Sequence, residues 1–534
     1  MYVLYNISYT CTSLFFVTSV LLLFRLYYVR YYLKKGKKIQ SITYSGDSDN
    51  LLCIIIPVYN EHKDIEACLD YFVNKLQPYM RLCFVFTQKE VKIRNDLISE
   101  VKEGRKKVKN LFGYFLKEDI QRLVNTYGEE ATGIDLEDEL GNAAYSWTIN
   151  NFPKKIQKYN HVVEYHIYPD AYGYMADQIN YGIARIREKY NDFSILIYNI
   201  DSKPDPNTFS EISRLIQVHK GKHFIIQQHS LYNVEHAIDS AALKGNWGSI
   251  IMAGACQWQN RWTLSFEVPW ILIENKVRNI FWKWRENKCL WSIFKIIQPF
   301  NYCVGHGLCI NSETLKKLNY RLPVEFWNED AFLGYRLALM DIPVHTIPYF
   351  DITEITSKVK VYIQQQSVWF NGPLQAFSYW KFENNGNGIA LLNATKLFMH
   401  AVYWLLGPLV WLCSLVISLL LIYSSTGIVK CFPFFYWIIT TIIYGPIVSL
   451  YTQELCDAYF LKDVGAVSAN HRSLTKLSAR VKFSNSMLST TAFVLFYPLH
   501  MIGPWRRIGQ IALSLLPVKW SVGRTIEKYK TVRH

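Results

Sequence analysis

Charge is what this 534-residue chain has least of. Only 19% of its residues are charged and half are apolar, whereas a soluble domain carries about a quarter charged. A chain so poor in charge is expected to keep part of itself in lipid. Residues 1–24 carry no charged side chain at all. No C-x-x-C pair occurs and the 11 cysteines are odd in number, which argues against a disulfide framework and against a zinc site. Cys53, Cys83 and Cys413 sit inside apolar runs, as reduced, buried thiols do. The charge that is present leans positive, to a net +15. A surplus of this sign suits anionic lipid, nucleic acid or phosphate-bearing small molecules, and the cytoplasmic flanks of membrane spans collect Lys and Arg in the same way.

The apolar runs show where the membrane is expected. Residues 7–29 supply the roughly 20 apolar positions a spanning helix needs. Arg25, Arg30, Lys34, Lys35, Lys37 and Lys38 come after that run, the reverse of a signal peptide. The segment therefore reads as an uncleaved anchor with its C-terminal end in the cytoplasm. Residues 397–423 and 431–452 are uncharged again and predict a helical hairpin. The segment 453–487 holds Lys462, Arg472, Lys476, Arg480 and Lys482, which fits the cytoplasmic side. A fourth run, 488–504, is broken by Pro498, His500 and Pro504 and followed by Arg506, Arg507 and a shorter run to 517. It predicts either a crossing pair or a re-entrant piece with an interfacial helix. The basic tail, Lys519 to His534, favours a cytoplasmic C-terminus. The organisation expected is an anchor over 1–40, a cytoplasmic domain over 41–390 and a transmembrane region over 391–534, in a plasma or inner membrane.

The middle reads as α/β. Leu51–Glu61, Arg81–Thr87, Val162–Pro169, Ser194–Asp201 and His223–Ser230 are short, continuous apolar runs, the pattern of strands buried on both faces of a parallel sheet. Helical stretches over 62–76, 171–189 and 205–219 separate them, which predicts βαβ units and a mostly parallel sheet. Ligands of such sheets bind at the carboxyl ends of the strands. Two pieces break the rhythm. Residues 92–160 are charged in both signs and read as an insertion. Residues 255–298 interleave Trp and Phe with Lys and Arg, as in QWQNRW and FWKWRENK. That pattern fits amphipathic helices in the headgroup layer of membrane lipid, in preference to nucleic-acid stacking.

Chemistry concentrates in a few stretches. LIYNIDSKPDP (196–206) aims Asp201 from the end of an apolar run, either as a turn former or as a ligand for something charged. VGHGLCIN (304–311) has two glycines around His306, and glycines permit close backbone approach to a ligand. WNEDAFLGYRLAL (327–339) puts Glu329 and Asp330 at a helix start, where the dipole favours carboxylates. VYIQQQSVWFNGP (361–373) puts Gln365 and Trp369 at i and i+4, on one helix face.

With IIIPVYNE, the Asp201 strand end, NEDAFLGYRL and Q-Q-S-V-W in this order, the chain resembles the family-two glycosyltransferases, in particular the membrane-embedded branch of cellulose, chitin and hyaluronan synthases. The resemblance covers about 50–372. It implies a GT-A-type domain and inverting transfer from a nucleotide-diphosphate-sugar donor to a glycan or lipid-linked acceptor. It implies that Tyr59 and Glu61 line the nucleotide pocket and that Asp201 holds Mg2+ or Mn2+ on the diphosphate. It makes Asp330, with Glu329 beside it, the base that takes the acceptor's proton, and places Gln365, Trp369 and His306 near the diphosphate and acceptor entrance. The chain also departs from the pattern. Lys203 stands where the family's second Asp would be, with Asp205 as a distant substitute, and Lys203 could replace part of a metal's charge. Val368 stands where the family's arginine would bind the diphosphate, and Met175 where many relatives have Lys. FTQKE replaces an Asp-Asp-Gly after the second strand, which makes Glu90 a candidate for the nucleotide pocket. These departures suit addition of one or a few sugars, and they keep open a second class, an inactive glycosyltransferase-like membrane scaffold.

Overall fold

A computed structural model describes residues 2–38, 51–61, 64–140, 147–232, 247–298, 303–353, 355–356, 358–383, 388–423, 431–464 and 495–514. The basic tail after Lys519 and most of 453–487 lie outside these. Ten strands are described: β1 (Leu51–Pro57), β2 (Met80–Thr87), β3 (Val163–Tyr168), β4 (Phe193–Ile197), β5 (Lys203–Pro204), β6 (Ile225–Gln227), β7 (Ser230–Tyr232), β8 (Leu308–Ile310), β9 (Val344–Thr346) and β10 (Asp351–Thr353). The chain divides into two compact units. A sheet unit comprises Tyr44–Gln228 and Val304–Glu329; a helical unit comprises Met1–Thr43, His229–Cys303 and Asp330–His534.

The sheet unit is α/β. Six of its strands run in the order β3-β2-β1-β4-β8-β6. The first four are parallel, and β8 is antiparallel to both β4 and β6. Ile54, Ile55 and Ile56 on β1, Leu82, Phe84 and Val85 on β2, and Ile195 and Leu196 on β4 are fully enclosed. Burial on both faces explains why these runs are apolar without alternation. Helices Ile65–Val73, Met175–Arg187 and Thr208–Val218 supply the connections, so the βαβ alternation read from the sequence is observed. The inserted segment has its own small core of Leu97, Ile98, Val101, Leu111, Phe115, Ile120, Leu123, Leu136 and Leu140.

Among the described residues, the helical unit holds three helices long and apolar enough to cross a membrane: Tyr2–Gly36, Gly388–Tyr423 and Phe432–Tyr459. They touch through small polar side chains: Ser8 Oγ lies 2.8 Å from Ser418 Oγ, and the Tyr436 hydroxyl donates to Ser13 Oγ at 3.3 Å. Such residues let apolar helices approach closely. The aromatic stretch expected to be amphipathic is helical at Trp247–Trp262, Val268–Phe281 and Lys288–Ile297. Ile280, Trp282, Trp284, Ile296 and Ile297 are exposed. Beneath them Arg278 joins Glu274 and Asp341, both at 2.6 Å, and Lys295 also pairs with Asp341. The two bases and two acids balance, as buried charges must.

Candidate active site

Strand direction decides what the sheet unit offers. With β1, β2 and β4 parallel, and β6 parallel to β4 through the antiparallel β8 between them, their carboxyl ends share one rim. Residues 58–61, 88–90, 198–205 and 228 leave along that rim, and 304–307 enter β8 from it. The structure thus brings Tyr59, Glu61, Asp201, Lys203 and His306 to one edge, where α/β sheets bind ligands.

The loop after β1 is held from behind. Asn60 adopts a left-handed conformation, φ 54°, which Asn tolerates better than most residues. Its N–H donates to Glu90 Oε2 at 2.9 Å, its Oδ1 accepts from Arg94 at 3.3 Å, and its amide nitrogen donates to the Gly113 carbonyl of the insertion. Glu90 and Arg94 are both 2% exposed and pair at 3.3 Å, one helical turn apart. Burial draws the Arg94 guanidinium below its ordinary pKa, and the Glu90 carboxylate opposes that. Glu90 is therefore a buried support of the loop, which corrects its candidacy as a lining residue of the nucleotide pocket. Gln178, from the ADQIN stretch, donates to the carbonyls of Val58 at 3.1 Å and Val85 at 3.0 Å. It clamps the ends of β1 and β2, a role no local pattern announces. In front of the loop, the Lys89 ammonium lies 5.8 Å from the Tyr59 ring centre and 5.7 Å from that of Tyr174, within cation–π reach.

The chain that leads from β4 to Asp201 is held by the residues around it. The Tyr198 N–H donates to Ile55 O at 3.1 Å, and its buried hydroxyl pairs with Gln228, whose amide donates to Thr208 at 2.8 Å. Asp201 itself is partly exposed at the rim and Lys203 exposed, while Ser202 is buried. Asp205 is 5% exposed, and its Oδ1 accepts from the Asn207 N–H at 2.8 Å and side-chain amide at 2.9 Å. It orders the start of the 208–218 helix, a turn role, so it makes a poor replacement for the missing carboxylate. Gly307 has φ +63°, and a Cβ there would stand 2.4 Å from the Gln228 carbonyl oxygen. The glycine thus serves a backbone-on-backbone approach within the sheet unit, where approach to a ligand was the expectation. His306, partly exposed, gives its carbonyl to the Gln227 amide at 2.8 Å.

Glu329 ends the sheet unit and is 6% exposed. Asp330, the first residue of the same helix assigned to the helical unit, is partly exposed. Its Oδ1 accepts the Ala331 N–H at 2.8 Å, as a carboxylate at a helix start does. Burial first, and the Asp330 carboxylate second, push the Cys303 thiol up. Gln365 and Trp369 lie on one helix, Val359–Trp369, and Trp369 is 39% exposed, open enough to offer a face to a ligand.

The residues present would fit a divalent cation that arrives already bound to phosphate. Among the described residues no three His, Cys, Asp or Glu side chains gather to hold an ion. Asp201 supplies one carboxylate, and Mg2+ is commonly bound by one or two carboxylates together with substrate phosphates.

No family model matches the chain, and no curated protein matches it. Among solved structures, it is similar to a mannosyltransferase of Pyrobaculum calidifontis in complex with GDP-Man and Mn2+, at 11% identity over 92% of this chain and 99% of the other, with a TM-score of 0.39. It is also similar to residues 1–349 of TarS from S. aureus in complex with UDP-GlcNAc, at 9% identity over 86% of this chain and 92% of the other, with a TM-score of 0.34.

Proposed function

We propose that this protein is a membrane-bound, inverting glycosyltransferase of the GT-A type. It moves a sugar from a nucleotide-diphosphate-sugar to a glycan or lipid-linked acceptor at the cytoplasmic face, in the synthesis of cell-surface polysaccharide or glycolipid. The observation that carries this reading is the rim of the sheet unit. There the turn that follows buried β4 carries the Asp201 carboxylate at the edge where the Tyr59–Glu61 loop also leaves the sheet, in a chain whose later motifs follow in the family's order.

The roles follow from the residues. Tyr59 and Glu61 bound the nucleotide end of the rim. Asp201 would hold Mg2+ or Mn2+ on the diphosphate, with Lys203 adding a second positive charge nearby. The bound cation offsets the negative charge that grows on the departing nucleoside diphosphate. Asp330 accepts the proton of the attacking hydroxyl, help worth roughly 10²–10⁴-fold, and Glu329 beside it keeps the local field negative. Trp369 offers its exposed face to a sugar ring and Gln365 its amide to a hydroxyl.

The test is nucleotide release by the full-length protein in membranes, screened across common sugar nucleotides with and without Mg2+ or Mn2+. Turnover of one donor, stimulated by cation, is expected. Absence of hydrolysis and transfer from every donor, in a protein that retains a stable protein partner, would favour the scaffold reading, which Lys203 and Val368 motivate.

A further inference from the structure

Three aromatic side chains stand together on the sheet unit, beyond the carboxyl end of β3. Tyr172 and Tyr174 belong to the loop 169–174 that leaves this strand. Tyr172 is 73% exposed and Tyr174 43%. The Tyr174 ring centre lies 6.4 Å from that of Trp327. Trp327 in turn stands two residues before Glu329, the first residue of the helix Glu329–Leu339. Single exposed apolar residues are ordinary on a protein surface, whereas neighbouring ones mark a place of interaction.

The loop that presents the two tyrosines is fixed at several points. Asp170 Oδ1 accepts the Tyr172 N–H and Asp177 Oδ2 the Tyr174 N–H, both at 2.8 Å. A Cβ on Gly173 would come 2.3 Å from the Tyr168 ring, so glycine lets the loop lie close against β3. The helix Gln88–Lys102 supports the rings from one side. The Lys92 ammonium stands over the Tyr172 ring at 5.6 Å and the Lys89 ammonium over the Tyr174 ring at 5.7 Å. Lys89 and Lys92 are three residues apart on one helix face, so the two rings they support are neighbours as well. A cation over one face of an aromatic ring leaves the opposite face to a ligand.

Charge narrows the class of that ligand. Lys92 pairs with Asp96 at 2.8 Å, and Asp170 and Asp177 flank the tyrosines. Two ammonium groups beside three carboxylates make no positive field, which argues against an anion. The surface offers flat faces with polar edges. Tyr and Trp supply such rigid, amphipathic area at little entropic cost, and a loop fixed in advance lowers the cost of binding further. An uncharged sugar ring matches it, with C–H groups to lie on the aromatic face and hydroxyls to meet the tyrosine hydroxyls.

We propose that Tyr172, Tyr174 and Trp327 form a stacking track for an uncharged glycan chain, which serves as the acceptor and reaches the start of the 329–339 helix along Trp327. This deepens the glycosyltransferase reading and rests on it for the role of acceptor. It selects a glycan of several sugars over a single lipid-linked sugar.

The experiment uses the full chain in nanodiscs, with cellohexaose, chitohexaose and mannohexaose as probes beside their disaccharides, and reads affinity by titration calorimetry. At least one hexasaccharide is expected to bind at least tenfold more tightly than its disaccharide. Tyr172→Ala and Tyr174→Ala are each expected to weaken that probe at least fivefold. Tyr172→Phe is expected to stay within twofold, because the ring carries the stacking. Tyr127→Ala removes a tyrosine 42% exposed elsewhere in the same unit and is expected to stay within twofold. Should Y174A fail to fold, Y172A decides, since its side chain lies mostly in water. A wild type that binds no hexasaccharide overturns the proposal, and so does unchanged affinity in Y172A. UDP or GDP binding that Y172A weakens as much as it weakens the hexasaccharide would assign the track to the donor and overturn it too. A wild type that binds a hexasaccharide through Tyr172 yet releases nucleotide from no donor upholds the track and sinks the glycosyltransferase reading. A wild type that transfers sugar no better than the Y172A/Y174A double variant does the reverse.

Discussion

Gly307 rests against the carbonyl of Gln228, with room for a hydrogen and none for a methyl group: a Cβ would approach that oxygen to 2.4 Å. The same glycine donates its N–H to Ile197 O at 2.8 Å and accepts from the Gln228 N–H at 2.7 Å. One residue thereby ties the end of β4, which leads to Asp201, to the chain leaving β6. Gly307→Ala must move a backbone and also occupy positive φ, so a loss of about 2 kcal/mol or more is expected. Gly221 provides the control. It has φ +77° with nothing within 4 Å of a built Cβ, so Gly221→Ala should cost only about 1 kcal/mol. Thermal unfolding of the two variants in detergent measures the difference, and equal shifts would show that the Gln228 approach is unimportant.

The two carboxylates of the proposed mechanism should fail in different ways. On the proposed assignment of Asp330 as the base, Asp330→Asn keeps the shape and removes that base, so turnover should fall roughly 10²–10⁴-fold with donor affinity unchanged. On the proposed assignment of Asp201 to the cation, Asp201→Asn should lower donor affinity and cation stimulation together. Chelation should silence the wild-type protein and Mg2+ or Mn2+ restore it, while metal analysis of nucleotide-free protein finds no stoichiometric ion. Steady-state kinetics with and without cation separates these outcomes, and normal turnover in D330N would remove Asp330 from the mechanism.

The parts of this molecule legible in the sequence are those whose physics is local. The strands of the sheet unit announce themselves because burial on both faces leaves only apolar residues, as in Cys53–Ile56. The three long helices do so because each contains a long apolar stretch nearly free of charge. Asp201 was expected to end such a strand, whereas β4 stops at Ile197 and Asp201 stands in the turn that follows. What stayed hidden depends on residues distant along the chain. Nothing near Gln178 states that its amide will span the Val58 and Val85 carbonyls. Glu90 follows β2 where a ligand-lining acid was expected, and only its partner one turn later shows it turned inward. Likewise Arg507, more than a hundred positions later in the chain, meets Asn371 only where the C-terminal helix packs on Val359–Trp369.

The Glu90–Arg94 pair should behave as a unit. Both side chains are buried, and removing one member leaves an uncompensated charge, a loss of about 3–5 kcal/mol. Glu90→Met and Arg94→Met should each destabilise by that order, and the double variant by less than either alone. Because Asn60 is held by both, the single variants should also raise KM for the donor while kcat changes little. Additive losses in the double-mutant cycle would show that the two residues act separately.

Acid should loosen the far edge of the sheet. Glu164 on β3 pairs with Lys189 at 2.8 Å and lies 3.4 Å from His166 Nε2. The His166 contact, foremost, and the Lys189 ammonium, against an opposing cost of burial, hold its carboxyl down to about 2 from the usual 4.5. A carboxylate whose folded pKa is depressed stabilises the fold fully above its unfolded pKa, and the contribution is lost as pH falls toward the folded one. For Glu164 that window runs from about 4.5 down to about 2, and the contribution is roughly 1–3 kcal/mol. Glu164→Gln should therefore lower the unfolding temperature at pH 7 and flatten its acid dependence across that window. Thermal melts of wild type and E164Q between pH 7 and pH 3 measure this, and parallel curves would show that Glu164 carries none of the acid sensitivity.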